Sequence, residues 1–596
     1  MADQGEMDVA DKIASELLVE RLIAWGVDTV FGLPGDGING IMEGLRRHDD
    51  RIRFVLVHHE EAAAFMATAY AKSTGRLGVC LATSGPGGIH LLNGLYDAKL
   101  DHVPVLAITG MQETEVLGTG YQQEVHLEKL YQDVAAYDVM VMVPPQIPAL
   151  VDRAVRTSLG YRTVSHLTFP NDLQVADAKL NPWKEVAPAR TPETAPVYTG
   201  PSGEPDRDQL ARAAELLNSG DRVAMLVGVG AKGARAEVLE VAELLGSPIV
   251  KTLSGKASVP DDHPLVTGGL GLLGTRPSEE VMEKADTLLM VGTSFPYTRH
   301  LPGPEQVRTV QIDVAPDRAG NRMPTAVPLV ADAAKALRGL VPMLDRKADR
   351  GYLESAQKAM GKWRKDMAAL ESPDRDPIQP QYLMRLVDRF ATDDAILCSD
   401  SGTIATWAAR HFDIRGGRDF YLSGNLASMA PGLPYTIGAQ WAHPGRQCIA
   451  FVGDGGMAML MAEFDTACRY GLPIKVVVNN NSSLGQILWE QMVLGYPEYG
   501  VRFQQPMNFA PFAESCGGLG LRVEKAADLE HAVRMALDHE GPALVDVLVN
   551  PNEPPLPGKV SYEQAKGFAQ AWLRGQPHKA TMASTLFRDK LDQLRS

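Results

Sequence analysis

The stretch from Cys448 to Ile487 reads CIAFVGDGGMAMLMAEFDTACRYGLPIKVVVNNNSSLGQI. An apolar run, CIAFV, ends in Gly453-Asp454-Gly455-Gly456; a helical pattern follows from near Met457, and a second apolar run ends in three asparagines. Short continuous apolar runs either side of a helix predict neighbouring parallel strands joined by a crossover. Asp454 and Asn481, 27 positions apart, then stand at the ends of adjacent strands, where open α/β sheets hold ligands. One carboxylate, one carboxamide and the backbone carbonyl of Ser483 suit Mg²⁺, which takes few protein oxygens and completes its shell with phosphate. Gly453, Gly455 and Gly456 admit a phosphate close to the backbone, at the amino end of a helix. No Walker lysine and no GxGxxG accompany this turn. On these residues alone, a βα turn with Asp454 as helix cap stands as the alternative.

The rest of the chain narrows the setting. Its 596 residues predict several domains, and 45% apolar with 22% charged residues is ordinary for a globular protein. A formal net charge of −15 leaves no basic surplus for nucleic acid. The cysteines (Cys80, Cys398, Cys448, Cys468 and Cys516) are odd in number and lack a CxxC pair, which predicts reduced thiols rather than disulfides or zinc. An acidic N-terminus without a signal-peptide core, and the lack of a membrane-spanning apolar run, predict a cytoplasmic protein.

Working outward, FVLV before Glu60, LGVCLAT before Ser84 and PVLAIT before Gly110 mark strands of a first α/β block. A second block carries AMLVG, PIVKTL, TLLMVG and TVQID. The predicted divisions are 1–182, a proline-rich linker at 183–206 within a stretch of six prolines in 24 residues, 207–345, a helical connector at 346–380, 381–550, and a tail at 551–596. The fold class is therefore α/β with three doubly wound parallel sheets, and blocks of similar size predict one fold used three times. Glu60 and Glu61 fall in the first turn of a helix at a sheet's carboxyl edge, where they either serve a ligand or complement the helix dipole. Gly85, Gly87 and Gly88 form a turn leading into another helix.

Taken together, VFGLPGDGING (30–40), HHEEAAAFMATAYAKSTG (58–75), TSGPGG (83–88), ASMAPGLPYTIGAQ (427–440) and GDGG…NNN resemble, in order, the thiamine diphosphate-dependent pyruvate oxidase and acetolactate synthase family. The resemblance spans essentially the whole chain. GTGYQQEVHLEKLY, VGTSFPY, TWAARHF, MLMAEF, GLRVEKA and EQAKGF are most similar to the bacterial pyruvate:quinone oxidoreductases of that family. It implies that Glu60 binds the pyrimidine of the cofactor and relays its proton. Met429 would be the apolar prop under the bent cofactor, with the Ala427 carbonyl and Ser428 beside it; alone, Met429 reads as core packing. Asp400, Ser401 and Gly402 would add to the diphosphate pocket, or form a capped turn. His90, Gln123 and Glu490 would line the reaction cavity, although a lone histidine such as His90 reads as structural.

The resemblance further implies FAD on the middle block. Gly228, Gly230 and Gly233 form a GxGxxG after a strand, with close helix packing as the alternative reading. Thr267, Gly268, Gly292, Thr293 and Asp313 resemble further flavin-contact segments. The implied cofactors are thiamine diphosphate, Mg²⁺ and FAD. The implied substrate is a small 2-oxo acid, with quinone as electron acceptor, and the implied assembly is a dimer or tetramer of this chain. Two positions depart from the pattern: Gln122 replaces a phenylalanine and Gln486 an aromatic residue, so two apolar groups have become amides that demand partners. Ile487 and Glu490 keep oxidase-like spacing, whereas Trp489 is one position short of the synthase tryptophan. Leu586, Phe587, Leu591 and Leu594 fall near one face of a possible tail helix, for a membrane surface or for docking on the protein.

Overall fold

The computed structural model describes residues 12–178, 198 and 203–595. The linker expected at 183–206 lies outside the described residues except at 198 and 203–206. Three six-stranded parallel sheets are present, so the α/β, doubly wound reading holds. The first contains β1 (Thr29–Leu33), β2 (Arg53–Leu56), β3 (Gly78–Ala82), β4 (Val105–Met111), β5 (Ala135–Met140) and β6 (Val164–Pro170), in the order β2-β1-β3-β4-β6-β5. The second contains β7 (Val223–Val227), β8 (Ile249–Lys251), β9 (Val266–Gly269), β10 (Thr287–Val291), β11 (Arg308–Asp313) and β12 (Val327–Val330), ordered β12-β11-β10-β7-β8-β9. The third contains β13 (Ile396–Ser399), β14 (Asp419–Tyr421), β15 (Cys448–Gly453), β16 (Lys475–Asn480), β17 (Leu519–Val523) and β18 (Ala543–Leu548), ordered β14-β13-β15-β16-β18-β17.

The first and third sheets thus share one winding, while the second has the dinucleotide-fold order. The expectation of one fold used three times is corrected to two topologies. Apolar composition cannot separate them, because strands of either kind are covered on both faces and read as continuous apolar runs. VAMLV of β7 and TLLMV of β10 are buried at every position.

Contacts divide the chain into two compact units. The first comprises Met1–Gly200, Ser423–Gly445 and Met459–Leu472. Its interior holds two helices, Glu60–Thr74 and Gly432–Ala442, that are buried along most of their length. A helix apolar on all sides belongs in a core, and here the two meet backbone to backbone: a Cβ on Gly438 would stand 2.4 Å from the Met66 carbonyl oxygen. Both helices follow the second strand of their sheets, so they are topological equivalents.

The second unit comprises Pro201–Leu422, Arg446–Ala458 and Pro473–Ser596. Within it Asp261 lies between two buried ammonium groups, 2.5 Å from Lys251 and 2.8 Å from Lys256, and accepts the Ile414 N–H at 2.8 Å. The tail helix Tyr562–Leu573 begins with a Ser561–Gln564 capping box and packs on the helix Gly485–Val493, with the Trp489 and Phe568 rings stacked at 6.1 Å. The helix Lys579–Arg595 buries Met582, and Arg375 pairs with its Asp589 and Asp592. Of the apolar face expected there, Leu586 and Leu591 are half-buried while Phe587 is 65% exposed, and the side chain of Leu594 lies outside the described ones. Among the described residues no helix is long and apolar enough to cross a membrane.

Candidate active site

In the first unit, Glu60 opens its helix at the carboxyl edge of β2, with His59 as the cap that accepts the Glu61 N–H. The approach to this turn is held by Glu463, fully buried, whose Oε1 accepts the backbone N–H groups of His58 and His59 at 2.9 and 3.0 Å. Thr466 donates to its other oxygen at 2.7 Å, and burial pushes the Glu463 carboxyl up. Glu60 is buried, and His90 Nδ1 lies 2.9 Å from its Oε2 while the His90 ring stacks on His59. Its Oε1 faces Gly87, where a Cβ would come within 3.2 Å. One carboxylate oxygen is therefore engaged, and the other faces Gly87 at the carboxyl edge of the sheet.

Gln123, at φ 61°, is folded against Gly85 and accepts from Ser84 Oγ at 3.3 Å; Gln122 is exposed. The segment equivalent to the Glu60 turn, after β14, carries Ala427 at φ 59° and Ala430 at φ 81°. Positive φ in alanine costs roughly 1–3 kcal/mol each and persists only where surroundings impose it. Ser428 donates its N–H to Ser423 Oγ at 3.0 Å, and Asn93 Nδ2 spans Ser428 Oγ at 3.1 Å and Glu61 Oε1 at 2.6 Å. Met429 is half-buried, and thus not a fully enclosed packing residue. The unit thereby brings Glu60, His90, Asn93 and the Ala427–Met429 loop together.

In the second unit, the third sheet changes winding direction between β13 and β15, and both motif loops sit there. Buried Asp400 with half-buried Ser401 and Gly402 follows β13, while Gly453 ends β15. The helix expected from near Met457 in fact begins at Asp454 and runs to Leu460, which puts Gly455 and Gly456 in its first turn; two glycines hid that start from a propensity reading. Asp454 is 5% exposed, and burial pushes its carboxyl up to about 7 despite N–H groups directed at it from Gly455 and Ser482. The next strand supplies that Ser482 contact: Gly453 pairs with Asn479, and after β16 Asn481 Oδ1 accepts the Ser483 N–H at 3.1 Å while Ser482 turns through φ 54°. The Ser483 hydroxyl is buried with no partner among the described residues. A buried carboxylate raised this far, with neutral oxygens beside it, fits a divalent cation that supplies the missing positive charge. Nearby, Glu490 is exposed and accepts from Gln486 Nε2 at 3.0 Å, while Gln486 Oε1 is buried without a partner among the described residues.

The family pattern described as thiamine pyrophosphate enzyme, N-terminal TPP binding domain, matches residues 13–130. The C-terminal TPP binding domain matches 400–547, and the central domain 210–340. The chain belongs to the thiamine pyrophosphate enzymes. Within them it falls in the pyruvate oxidase and acetolactate synthase group. It is 42% identical to YdaP of Bacillus subtilis over 95% of this chain and 96% of that protein. It is 32% identical to the pyruvate oxidase of Lactiplantibacillus plantarum over 94% of this chain and 92% of that one. It is 31% identical to the chloroplastic acetolactate synthase of Arabidopsis thaliana over 91% and 82%. Thiamine diphosphate is the cofactor that membership implies, and the oxygen donor set around Asp454 has the chemistry that a metal-bound diphosphate needs.

In this thiamine pyrophosphate enzyme the middle sheet changes direction between β7 and β10, and Gly228 and Gly292 follow those strands. Gly230 donates its N–H to the Gly292 carbonyl at 3.0 Å, and a Cβ on Gly230 would stand 2.8 Å from Gly292 Cα. Close packing of two loops therefore accounts for these glycines, while Gly233 has open space around it. A 3-10 segment, Val229–Ala234, follows β7, and the α-helix begins only at Arg235. Thr267 is bonded to Ser278 and to the Ile249 carbonyl, and Gly268 abuts Thr275. Thr293 is buried at the switch point; Asp313 accepts the Ala315 N–H at 3.0 Å, and burial pushes its carboxyl up. The sequence reading gave no role to Glu463, Asn93 or Ser423. Glu463 lies in the MLMAEF segment, but besides Thr466 its partners are backbone groups some 400 positions away, a distance that no local pattern reports.

Proposed function

We propose that this enzyme decarboxylates a 2-oxo acid, pyruvate foremost, and passes the electron pair through FAD to a quinone. The balanced reaction is pyruvate plus water plus quinone giving acetate, CO₂ and quinol. Bound thiamine diphosphate supplies the electron sink that takes up the pair left when CO₂ departs. Glu60 holds and returns a proton through Oε1, with His90 fixing Oε2. The Ala427 carbonyl and Met429 would orient the pyrimidine end; Asp454, Asn481 and the Ser483 carbonyl would hold Mg²⁺ together with the diphosphate. Asp400–Gly402 and Gly453–Gly456 would flank the diphosphate. FAD would lie at the β7/β10 switch point, near Gly233, Thr293 and Asp313.

The observation that carries the oxidative reading is the dinucleotide-fold order of the middle sheet. Likeness to a pyruvate oxidase along almost the whole chain supports it. Absorbance of the purified protein should show a flavin band that bleaches when pyruvate is added without oxygen. A flavin that stays oxidised while CO₂ is released would sink the oxidative reading.

A second reading, carboligation or simple decarboxylation with FAD structural or absent, is favoured by Gln122 and Gln486. The Gln486 amide, which donates to Glu490 at 3.0 Å, stands where the family resemblance leads to an aromatic ring. Acetolactate or acetoin in place of acetate would select it.

A further inference from the structure

Lys72 lies near the end of the Glu60 helix, with its side chain 10% exposed. Its Nζ is 2.6 Å from Asp101 Oδ2, donates to Tyr435 Oη at 2.7 Å, and stands 3.7 Å from Asp97 Oδ2. The Tyr435 hydroxyl in turn donates to Asp97. Burial works to raise the Asp101 carboxyl, but Lys72 and the N–H groups of Gly424 and Asn425 outweigh it and hold it low. Those N–H groups lie 2.9 and 2.8 Å from the Asp101 oxygens, and Asn425 Nδ2 reaches both Asp101 Oδ1 and the Leu100 carbonyl. Asp101 thus grips the segment that runs directly into Ala427 and Met429. Tyr435, on the helix after that segment, is gripped by the same ammonium group. The loop is tied on both sides of its two positive-φ alanines, a conformation that alanine does not hold unaided.

We propose that Lys72 is a positioning residue: through Asp101 and Tyr435 it clamps the 423–430 loop in the form that presents the Ala427 carbonyl and Met429 to the pyrimidine of thiamine diphosphate. The inference rests on the assignment of that loop to the cofactor, and it goes beyond it by naming what holds the loop before the cofactor arrives. Lys72 touches no reacting atom. Its effect is to make the site ready-formed, so its loss appears first in cofactor affinity and in loop exposure.

The test uses the full-length protein stripped of cofactor, as wild type, Lys72→Met, Lys72→Arg and Asn425→Ala. Calorimetry with thiamine diphosphate and Mg²⁺ should give a Kd raised about 10–100-fold in Lys72→Met, the range seen when a supporting partner is removed. Lys72→Arg should recover most of that loss, and Asn425→Ala should raise Kd by about 3–10-fold. Limited proteolysis without cofactor should cut within 423–430 in Lys72→Met and not in wild type. Unchanged Kd and unchanged cleavage, or a lowered Tm with unchanged Kd, would show a merely structural ion pair and overturn the proposal. If Lys72→Met does not fold, Asn425→Ala decides alone, because it removes only the loop's own contact. A wild type that binds no thiamine diphosphate would instead overturn the site assignment, while the clamp would still stand or fall on the cleavage pattern.

Discussion

His90 Nδ1 lies 2.9 Å from Oε2 of Glu60, so one oxygen of the carboxylate is held and the other is left facing Gly87. Glu60→Gln keeps this volume and removes the transferable proton. Turnover should fall at least about 100-fold, the lower end of what a positioned acid–base group contributes, with thiamine diphosphate still bound. Timed CO₂ release measures it; unchanged turnover would remove the relay role from Glu60. His90→Phe retains a ring to stack on His59 and deletes the hydrogen bond, and should cost about 3–30-fold.

Asp454→Ala removes the charged member of the proposed cation site. Loss of an outer-shell partner alone typically costs 10–100-fold in metal affinity, so loss of this ligand should raise the Mg²⁺ requirement at least about 100-fold. Titrating Mg²⁺ at fixed thiamine diphosphate is the measurement. A variant with wild-type Mg²⁺ dependence would place the cation elsewhere.

Asp261 is the only carboxylate among the described residues placed in ion pairs with both Lys251 and Lys256. Burial alone would raise its carboxyl, but the two lysines outweigh that and hold it at about 2, while burial lowers Lys251 to about 8. Because the folded Asp261 value lies below the unfolded one of about 3.9, its stabilisation is present above about pH 4 and is lost as pH falls toward 2. Lys251 acts in another window: the unfolded chain binds more protons between about 8 and 10.5, so stability rises with pH there. Asp261→Asn leaves both ammonium groups buried and unmatched, and should cost about 3–5 kcal/mol at neutral pH by denaturant unfolding. It should also flatten the acid limb of the stability profile.

The tail packs on the helix Gly485–Val493 with one backbone approach closer than the Trp489–Phe568 stack. A Cβ on Gly567 would stand 1.8 Å from the Val493 carbonyl oxygen, at the end of the helix that carries Gln486 and Glu490. Gly567→Val should cost about 1–3 kcal/mol as an overpacked contact. It should also expose the tail to protease and shift substrate KM more than thiamine diphosphate affinity. Equal tail cleavage in variant and wild type would show that the docking of Tyr562–Leu573 does not depend on this contact.

What could be read from the sequence was whatever depends on neighbours along the chain. Strands of apolar residues, the glycine turns at Gly85–Gly88 and Gly453–Gly456, and the placing of Asp454 and Asn481 just past the ends of adjacent strands are all local in this sense. They determined the α/β class, the three sheets and the cofactor family. The tertiary structure alone decided what depends on strand order and on distant partners. The middle sheet differs from its neighbours in winding, which equal apolar runs cannot reveal. Gly228 and Gly230 of the GxGxxG serve loop packing against Gly292, because a strand some 60 positions later returns beside β7. Glu463 reaches back to His58 and His59, and Lys72 binds Tyr435, across gaps of 405 and 363 residues. A buried charge must find its partner wherever the fold places one, so the groups that hold the site in shape became visible only when the chain was folded.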